Sequence, residues 1–147
     1  MKKFIAAILL LVLAAGAAVL VKDALDVRNP DYAVAKLTVT ADSVELPVSV
    51  AGYQWSFLFD RQTAKKPAPV IEQNLSAVTL LGGEKLELNF SQPVLSYTVR
   101  QSQNYSYEFF DLEGEITVPF EPGGYIYEVR AEFEHGWVLY YFYIVVS

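Results

Sequence analysis

The chain has 147 residues, of which 53% are hydrophobic and 14% aromatic, with no cysteine and a formal net charge of −6. Lack of cysteine excludes a disulfide framework, a thiolate metal site and a lipid-attachment cysteine, so stability rests on packing alone. The acidic balance disfavours nucleic acid and anionic lipid headgroups as partners, because both carry the same sign of charge.

Lys2 and Lys3 precede an uncharged run from Phe4 to Val21, after which Lys22 and Asp23 restore polarity. Eighteen helical residues rise about 27 Å, close to the roughly 30 Å hydrocarbon core of a bilayer. Length predicts a retained single-pass anchor. Ala15-Gly16-Ala17 supplies the alternative, since cleavage after Ala17 leaves an apolar region of the length usual for a removable signal. In either case the two lysines stay on the cytoplasmic side and the remainder is delivered outward, held at the membrane or secreted. The expected organisation is residues 1–21 as signal anchor or signal peptide, 22–35 as a charged spacer, and 36–147 as one domain with one core. Without Lys2 and Lys3 the exported part carries nine basic and seventeen acidic residues, a net of −8. Most of that imbalance falls in residues 101–147, where Arg130 stands alone against eight acids.

Beyond residue 35 the apolar periodicity is two, with turn residues between runs, and this predicts an all-β fold. The expected strands are 36–41, 44–50, 53–59, 76–81, 85–90, 94–101, 105–110, 115–118, 125–134 and 137–146. Ten short segments suit two packed sheets. Leu86, Leu88 and Phe90 share one face against Lys85, Glu87 and Asn89, and Leu95, Tyr97 and Val99 repeat the pattern. Asp60 to Pro69, with Lys65-Lys66 and two prolines, reads as an exposed loop. Gly82-Gly83, Pro122-Gly123-Gly124 and His135-Gly136 are expected turns.

The last quarter of the chain is the most informative. Glu121, Gly123, Tyr125 and Tyr127 stand at every second position, the pattern of the tyrosine corner that opens strand F of an immunoglobulin-like β-sandwich. Tyr125, Tyr127, Val129, Ala131 and Phe133 alternate with Glu128, Arg130, Glu132 and Glu134, giving a strand with one dry and one wet face. In the final strand Val138, Tyr140, Phe142 and Ile144 take one face and Leu139, Tyr141, Tyr143 and Val145 the other, so both are apolar. Either the strand is central and covered on both sides, or Tyr141 and Tyr143 form a platform for a sugar or peptide.

Residue types for catalysis are sparse. The single histidine, His135, lies in a hairpin corner, where a nucleophilic triad or histidine-rich metal site lacks a cleft and a rigid partner. No glycine-flanked nucleophile elbow and no phosphate loop occurs, and no catalytic residue or cofactor is assigned. Glu108, Asp111, Glu113 and Glu115 form the one dense group of carboxylates. Asp111, Glu113 and Glu115 would share a face if the segment were extended, and such oxygen clusters bind extracellular calcium weakly. Gly114 favours a bend and a solvated acidic loop instead. A glycosidase pair among these carboxylates is disfavoured, since one small sandwich seldom forms the necessary cleft. Asn74, Asn89 and Asn104 stand in Asn-x-Ser triplets, but Asn89 falls within an expected strand and the Met-Lys-Lys start has a bacterial character, so glycosylation is not expected.

The series AGYQWSF at 51–57, LLGGEKLELNFSQP at 80–93 and VPFEPGGYIYEVRAEFEHGWVLYYFYIVV at 118–146 resembles small immunoglobulin-like domains of Gram-positive bacteria. Some of these stand alone behind an export signal. Others are similar to the extracellular C-terminal domain of beta-lactam-sensor-type membrane metallopeptidases. The resemblance implies an immunoglobulin-like antiparallel β-sandwich behind one N-terminal hydrophobic helix, acting as a sensory or binding accessory at the cell envelope. Its partners would be the membrane, through that helix, and an envelope protein or glycan. The His-Glu-x-x-His zinc motif of those peptidases is absent from this sequence, so neither peptidase activity nor zinc carries over.

Overall fold

Alternating apolar residues along the last quarter of the chain need a cover on each face, and the fold is arranged to supply both. The computed structural model describes residues 2–65, 76–104, 106 and 108–147. Two helices, α1 (Lys2–Arg28) and α2 (Pro30–Ala33), are followed by β1 (Leu37–Ala41), β2 (Val44–Leu46), β3 (Val48–Ser56), β4 (Arg61–Lys65) and β5 (Val78–Leu80). Then come β6 (Leu86–Phe90), β7 (Val94–Gln103), β8 (Phe110–Leu112), β9 (Gly123–Phe133) and β10 (Gly136–Val146). The protein is an all-β sandwich with one N-terminal apolar helix.

A small sheet in the order β2-β1-β6 packs on a larger one in the order β4-β3-β10-β9-β7-β8. β5 extends the larger sheet by pairing with β10 in parallel, from Ile144↔Val78 to Val146↔Leu80, while the other ladders are antiparallel. β10 pairs with β9 over its full length, and its other edge is shared by β3 along Gly136–Phe142 and β5 along Ile144–Val146.

The core lies between the sheets. Val138, Tyr140, Phe142, Ile144 and Val146 meet Tyr125, Tyr127, Val129, Ala131 and Phe133 there, opposite Leu37, Val39 and Leu86 of the small sheet. Tyr127 stacks on Phe142 with centroids 4.6 Å apart and rings 4° from parallel. Each such side chain contributes about 1.5–3 kcal/mol through burial. Buried hydroxyls find acceptors or donors: Tyr140 Oη donates to the Ala35 carbonyl at 2.5 Å, and Gln101 Nε2 donates to Tyr127 Oη at 2.6 Å. At the start of β9, Tyr125 Oη donates to the Glu121 carbonyl at 2.8 Å, closing the corner that the alternate spacing predicts.

Several expectations change. The segment expected as a spacer continues α1 to Arg28, steadied by a Lys22–Asp26 pair at 4.0 Å, and Val34 and Ala35 are already buried in the core. Pro47, which cannot donate to a ladder, divides β2 from β3. β3 in turn runs through Gly52 to Ser56, absorbing Ala51 as a bulge where the register shifts opposite Leu139 and Tyr140. Residues 61–65 of the expected loop form β4 against β3, and residues 66–69 lie outside the described residues. Of the expected strand 105–110, Tyr105 and Tyr107 lie outside the described residues and β8 begins at Phe110. Residues 115–118 form a Lys85↔Thr117 bridge, flanked by backbone hydrogen bonds to residues 83, 84 and 86, in place of a full strand before Pro119. Leu95 does not follow Val99 into the core: the β7–β9 register shifts between Val94 and Ser96, leaving Leu95 outside. Asn89 lies within β6, and Asn74 is outside the described residues.

The final corner is Glu134-His135, with Gly136 already paired to Phe133 and Trp55. Gly136 has φ +148°, and a Cβ there would sit 1.9 Å from the Gln54 carbonyl oxygen. Gly136→Ala therefore combines backbone strain with a backbone collision. Loss of at least about 2 kcal/mol in urea unfolding is expected; a change below about 0.5 kcal/mol would mean that β3 is not seated against this corner.

Candidate functional site at the junction of helix and sandwich

Tyr141 and Tyr143 do not form an exposed platform. They are 8% and 4% exposed and lie in a second apolar cluster with Ala51 and Ile126, flanked by Phe109, Leu139 and Val145. The chain after β7 folds back over this face. Ser102 Oγ donates to the Ser106 carbonyl, and the Asn104 N–H donates to the Gly124 carbonyl at 2.8 Å. Phe109 then reaches Tyr141 edge-on at 6.3 Å. Arg100 lies 5.2 Å over the Phe109 ring and 3.3 Å from Glu128, whose carboxylate accepts a hydrogen bond from Tyr141 Oη. The alternation that assigns these tyrosines to the outer face is correct. What the sequence does not carry is the cover, which depends on where a separate loop lands.

The acidic cluster is not assembled either. Gly114, at φ +76°, turns the chain between Glu113 and Glu115, so the extended face needed for shared coordination does not form. Asp111 approaches Arg100 at 3.9 Å, Glu115 pairs with Lys85 at 3.6 Å, and Glu113 lines an open hollow with Asp111, Tyr97 and Ile116. Among the described residues no group of three or more His, Asp or Glu side chains is placed to hold a metal ion.

The most constructed feature outside the core is the place where α1 meets the sandwich. Six hydrogen bonds hold residues 23–36 to it: Leu58 N–H to Asp23 Oδ1 at 3.0 Å, Tyr53 Oη to Asp31 Oδ1 at 3.2 Å, Gln92 Nε2 to the Ala33 carbonyl at 3.3 Å, Tyr140 Oη to the Ala35 carbonyl at 2.5 Å, Lys36 N–H to Ser91 Oγ at 2.8 Å, and Ser91 N–H to the Lys36 carbonyl at 2.9 Å. A groove of about 400 Å³ remains between helix and strands, lined by Lys22, Asp23, Asp26, Trp55, Phe57 and His135 among others. His135, with its ring 5.8 Å from Trp55, is part of this wall.

The β3–β4 turn beside the groove is locally fixed. The Phe57 N–H donates to the Asp60 carbonyl at 2.7 Å, and the Asp60 carboxylate accepts from the Arg61 N–H and from Gln62 Nε2, each at 2.7 Å. Its tip presents Leu58 and Phe59 to solvent, 57% and 83% exposed. The sequence signal for this site, the apolar triplet Phe57-Leu58-Phe59 before Asp60, reads as a strand end, and only the fold places it beside α1.

No protein-family model, no curated protein and no solved structure matches the chain.

Burial of Tyr141 and Tyr143 has a direct consequence. Tyr141→Ala and Tyr143→Ala should each cost about 3–5 kcal/mol in urea unfolding, as large-to-small core changes do. The half-exposed Tyr97→Ala should cost far less; equal small effects at all three would place Tyr141 and Tyr143 at the surface.

Burial also pushes the phenol pKa values of Tyr127, Tyr140 and Tyr141 well above the ordinary tyrosine value, with the Glu128 carboxylate adding to the effect at Tyr141. The folded state thus favours their neutral forms. Their stabilising contribution is complete below about pH 10 and is lost as pH rises above it. A circular-dichroism titration should find a cooperative alkaline transition in which phenolate absorbance of these three tyrosines appears together with unfolding. Their ionisation in an intact fold would contradict the burial.

Proposed function

We propose that this chain is a noncatalytic binding or sensory accessory module at the bacterial cell envelope, with an immunoglobulin-like sandwich held outside the membrane by α1. The observation that carries the reading is α1 itself: residues Lys3–Arg28 form one helix, long and apolar enough to cross a bilayer, with none of its apolar span buried against the protein. A helix of that composition left uncovered needs lipid around it. Lys2 and Lys3 at its start favour a cytoplasmic N-terminus. The immunoglobulin-like assignment is supported by the Tyr125–Glu121 corner, the β9–β10 hairpin and the pairing of β7 on β9. The noncatalytic assignment is supported by the sequestration of the aromatic face and by the position of His135 against Trp55. The partner is an envelope protein or glycan, reached from a fixed point on the membrane.

Expression of the full chain in a Gram-positive host, followed by membrane fractionation, intact mass and external protease treatment, tests this. The full-length mass is expected in the membrane fraction, with the sandwich accessible from outside. A species lacking residues 1–17 in the medium would replace the anchored module with a secreted one, and recovery in the cytosol would remove the envelope assignment.

A further inference from the structure

The β3–β4 turn is apolar where a soluble turn should be polar, and its position relative to α1 gives that a meaning. The apolar run of α1 ends at Val21, and Leu58 is hydrogen-bonded through its N–H to Asp23, two residues later. Two helical residues rise about 3 Å. The headgroup layer outside the hydrocarbon core is about 5–8 Å thick on each side. With α1 in a bilayer, the backbone of Leu58 is therefore held within that layer, and the exposed side chains of Leu58 and Phe59 sit at the depth where amphipathic surfaces bury their apolar residues.

We propose that the β3–β4 turn is a second membrane contact, in which Leu58 and Phe59 enter the interfacial layer of the outer leaflet beside the exit of α1; this rests on the anchored reading above. The occupant of the patch is lipid and not protein because the patch is continuous with the membrane span and tied to it by a direct hydrogen bond. The contact is apolar in character. Lys22, Asp23, Asp26, Asp60 and Arg61 surround the turn with mixed charge, so no anionic lipid is required. With two attachment points, the helix and the turn, the sandwich has a fixed face toward the membrane.

The chain contains no cysteine, so a single introduced thiol can be labelled without background. Phe59→Cys carries an environment-sensitive fluorophore in the full-length protein, reconstituted in phosphatidylcholine vesicles containing nitroxide lipids at shallow or deep acyl positions. Leu11→Cys in α1 and Phe120→Cys serve as references. Phe120 is 82% exposed and follows the Thr117 bridge to Lys85, beside the Leu80–Gly83 segment that meets the far end of β10. The expected result is a blue-shifted emission at position 59 with quenching by shallow nitroxides, deep quenching at position 11, and neither at position 120. Deep quenching at 11 with a water-like, unquenched label at 59 would overturn the turn contact and leave the anchor standing. A label at 59 that is shielded but unquenched would assign the patch to a protein surface and overturn the proposal. Absence of quenching at 11 would remove the anchor and the turn contact together.

Discussion

Everything in this fold depends on β10 being buried on both faces and paired on both edges. A strand with Val138, Tyr140, Phe142 and Ile144 on one side and Leu139, Tyr141, Tyr143 and Val145 on the other has no solvent-compatible orientation. The rest of the chain is arranged to satisfy it. β9 closes one edge, and β3 and β5 divide the other. The small sheet covers the inner face, and the segment after β7 brings Phe109 over the outer one. This need for double cover explains why tyrosines that resemble a recognition surface in sequence are structural. A large aromatic side chain stabilises more when buried with its hydroxyl satisfied than when left at a surface. Tyr141 meets that condition through Glu128, and Tyr140 through the Ala35 carbonyl.

The Tyr140–Ala35 hydrogen bond also links sequence positions 105 apart, so the entry to the domain is locked to its central strand. With Val34 and Ala35 in the core and Asp23 bonded to the β3–β4 turn, the passage from α1 to β1 has no slack. A flexible charged spacer would let the sandwich swivel about α1. The helical continuation and the six hydrogen bonds of residues 23–36 oppose that, because reorienting the sandwich would break them and expose core residues. Rigidity at this point is a property of how the helix ends. Asn29 interrupts α1, Pro30 restarts a single helical turn, and Gln92 and Ser91 receive the returning backbone.

How much of this could be read from the residues depended on the range of the physics involved. Alternation along β9 and β10 is set by local pleating, and the face assigned to each residue there agrees with the fold. The tyrosine corner was legible for the same reason, since donor and acceptor are four residues apart. β4 was not, because Arg61-Gln62-Thr63-Ala64-Lys65 is polar enough for a loop and becomes a strand only through the edge of β3. Leu95 was misassigned because a single bulge reverses which side of β7 faces inward, and a bulge leaves no mark on composition. The carboxylates 111, 113 and 115 were adjacent in sequence but divided by one glycine, with nearby Arg100 and Lys85 answering two of them. The junction was least legible of all. Charged residues 22–28 read as a break in hydrophobicity, whereas helix propagation continues through them because nothing in Lys22-Asp23-Ala24-Leu25-Asp26 opposes it.

Charge bears on the orientation proposed for the sandwich. Residues 22–147 are acidic, so on the anchored reading proposed above an anionic leaflet would repel them and contact with it would rest on apolar groups. Carboxylates occur at both ends of the sandwich, with Glu132, Glu134 and Asp60 at the end nearest α1. Glu115 pairs with Lys85 just before β6, and Glu121 lies at the entry to β9, both toward the end where Val146 meets Gly123. β10 has eleven residues, so that end lies about 35 Å along the strand from the Gly136 end, where Trp55 and His135 meet the last turns of α1. At physiological ionic strength the Debye length is about 8 Å, and charges several such lengths from a surface exert almost no force on it. Glu115 and Glu121 would therefore neither oppose the proposed membrane contact at the α1 end nor be neutralised by it.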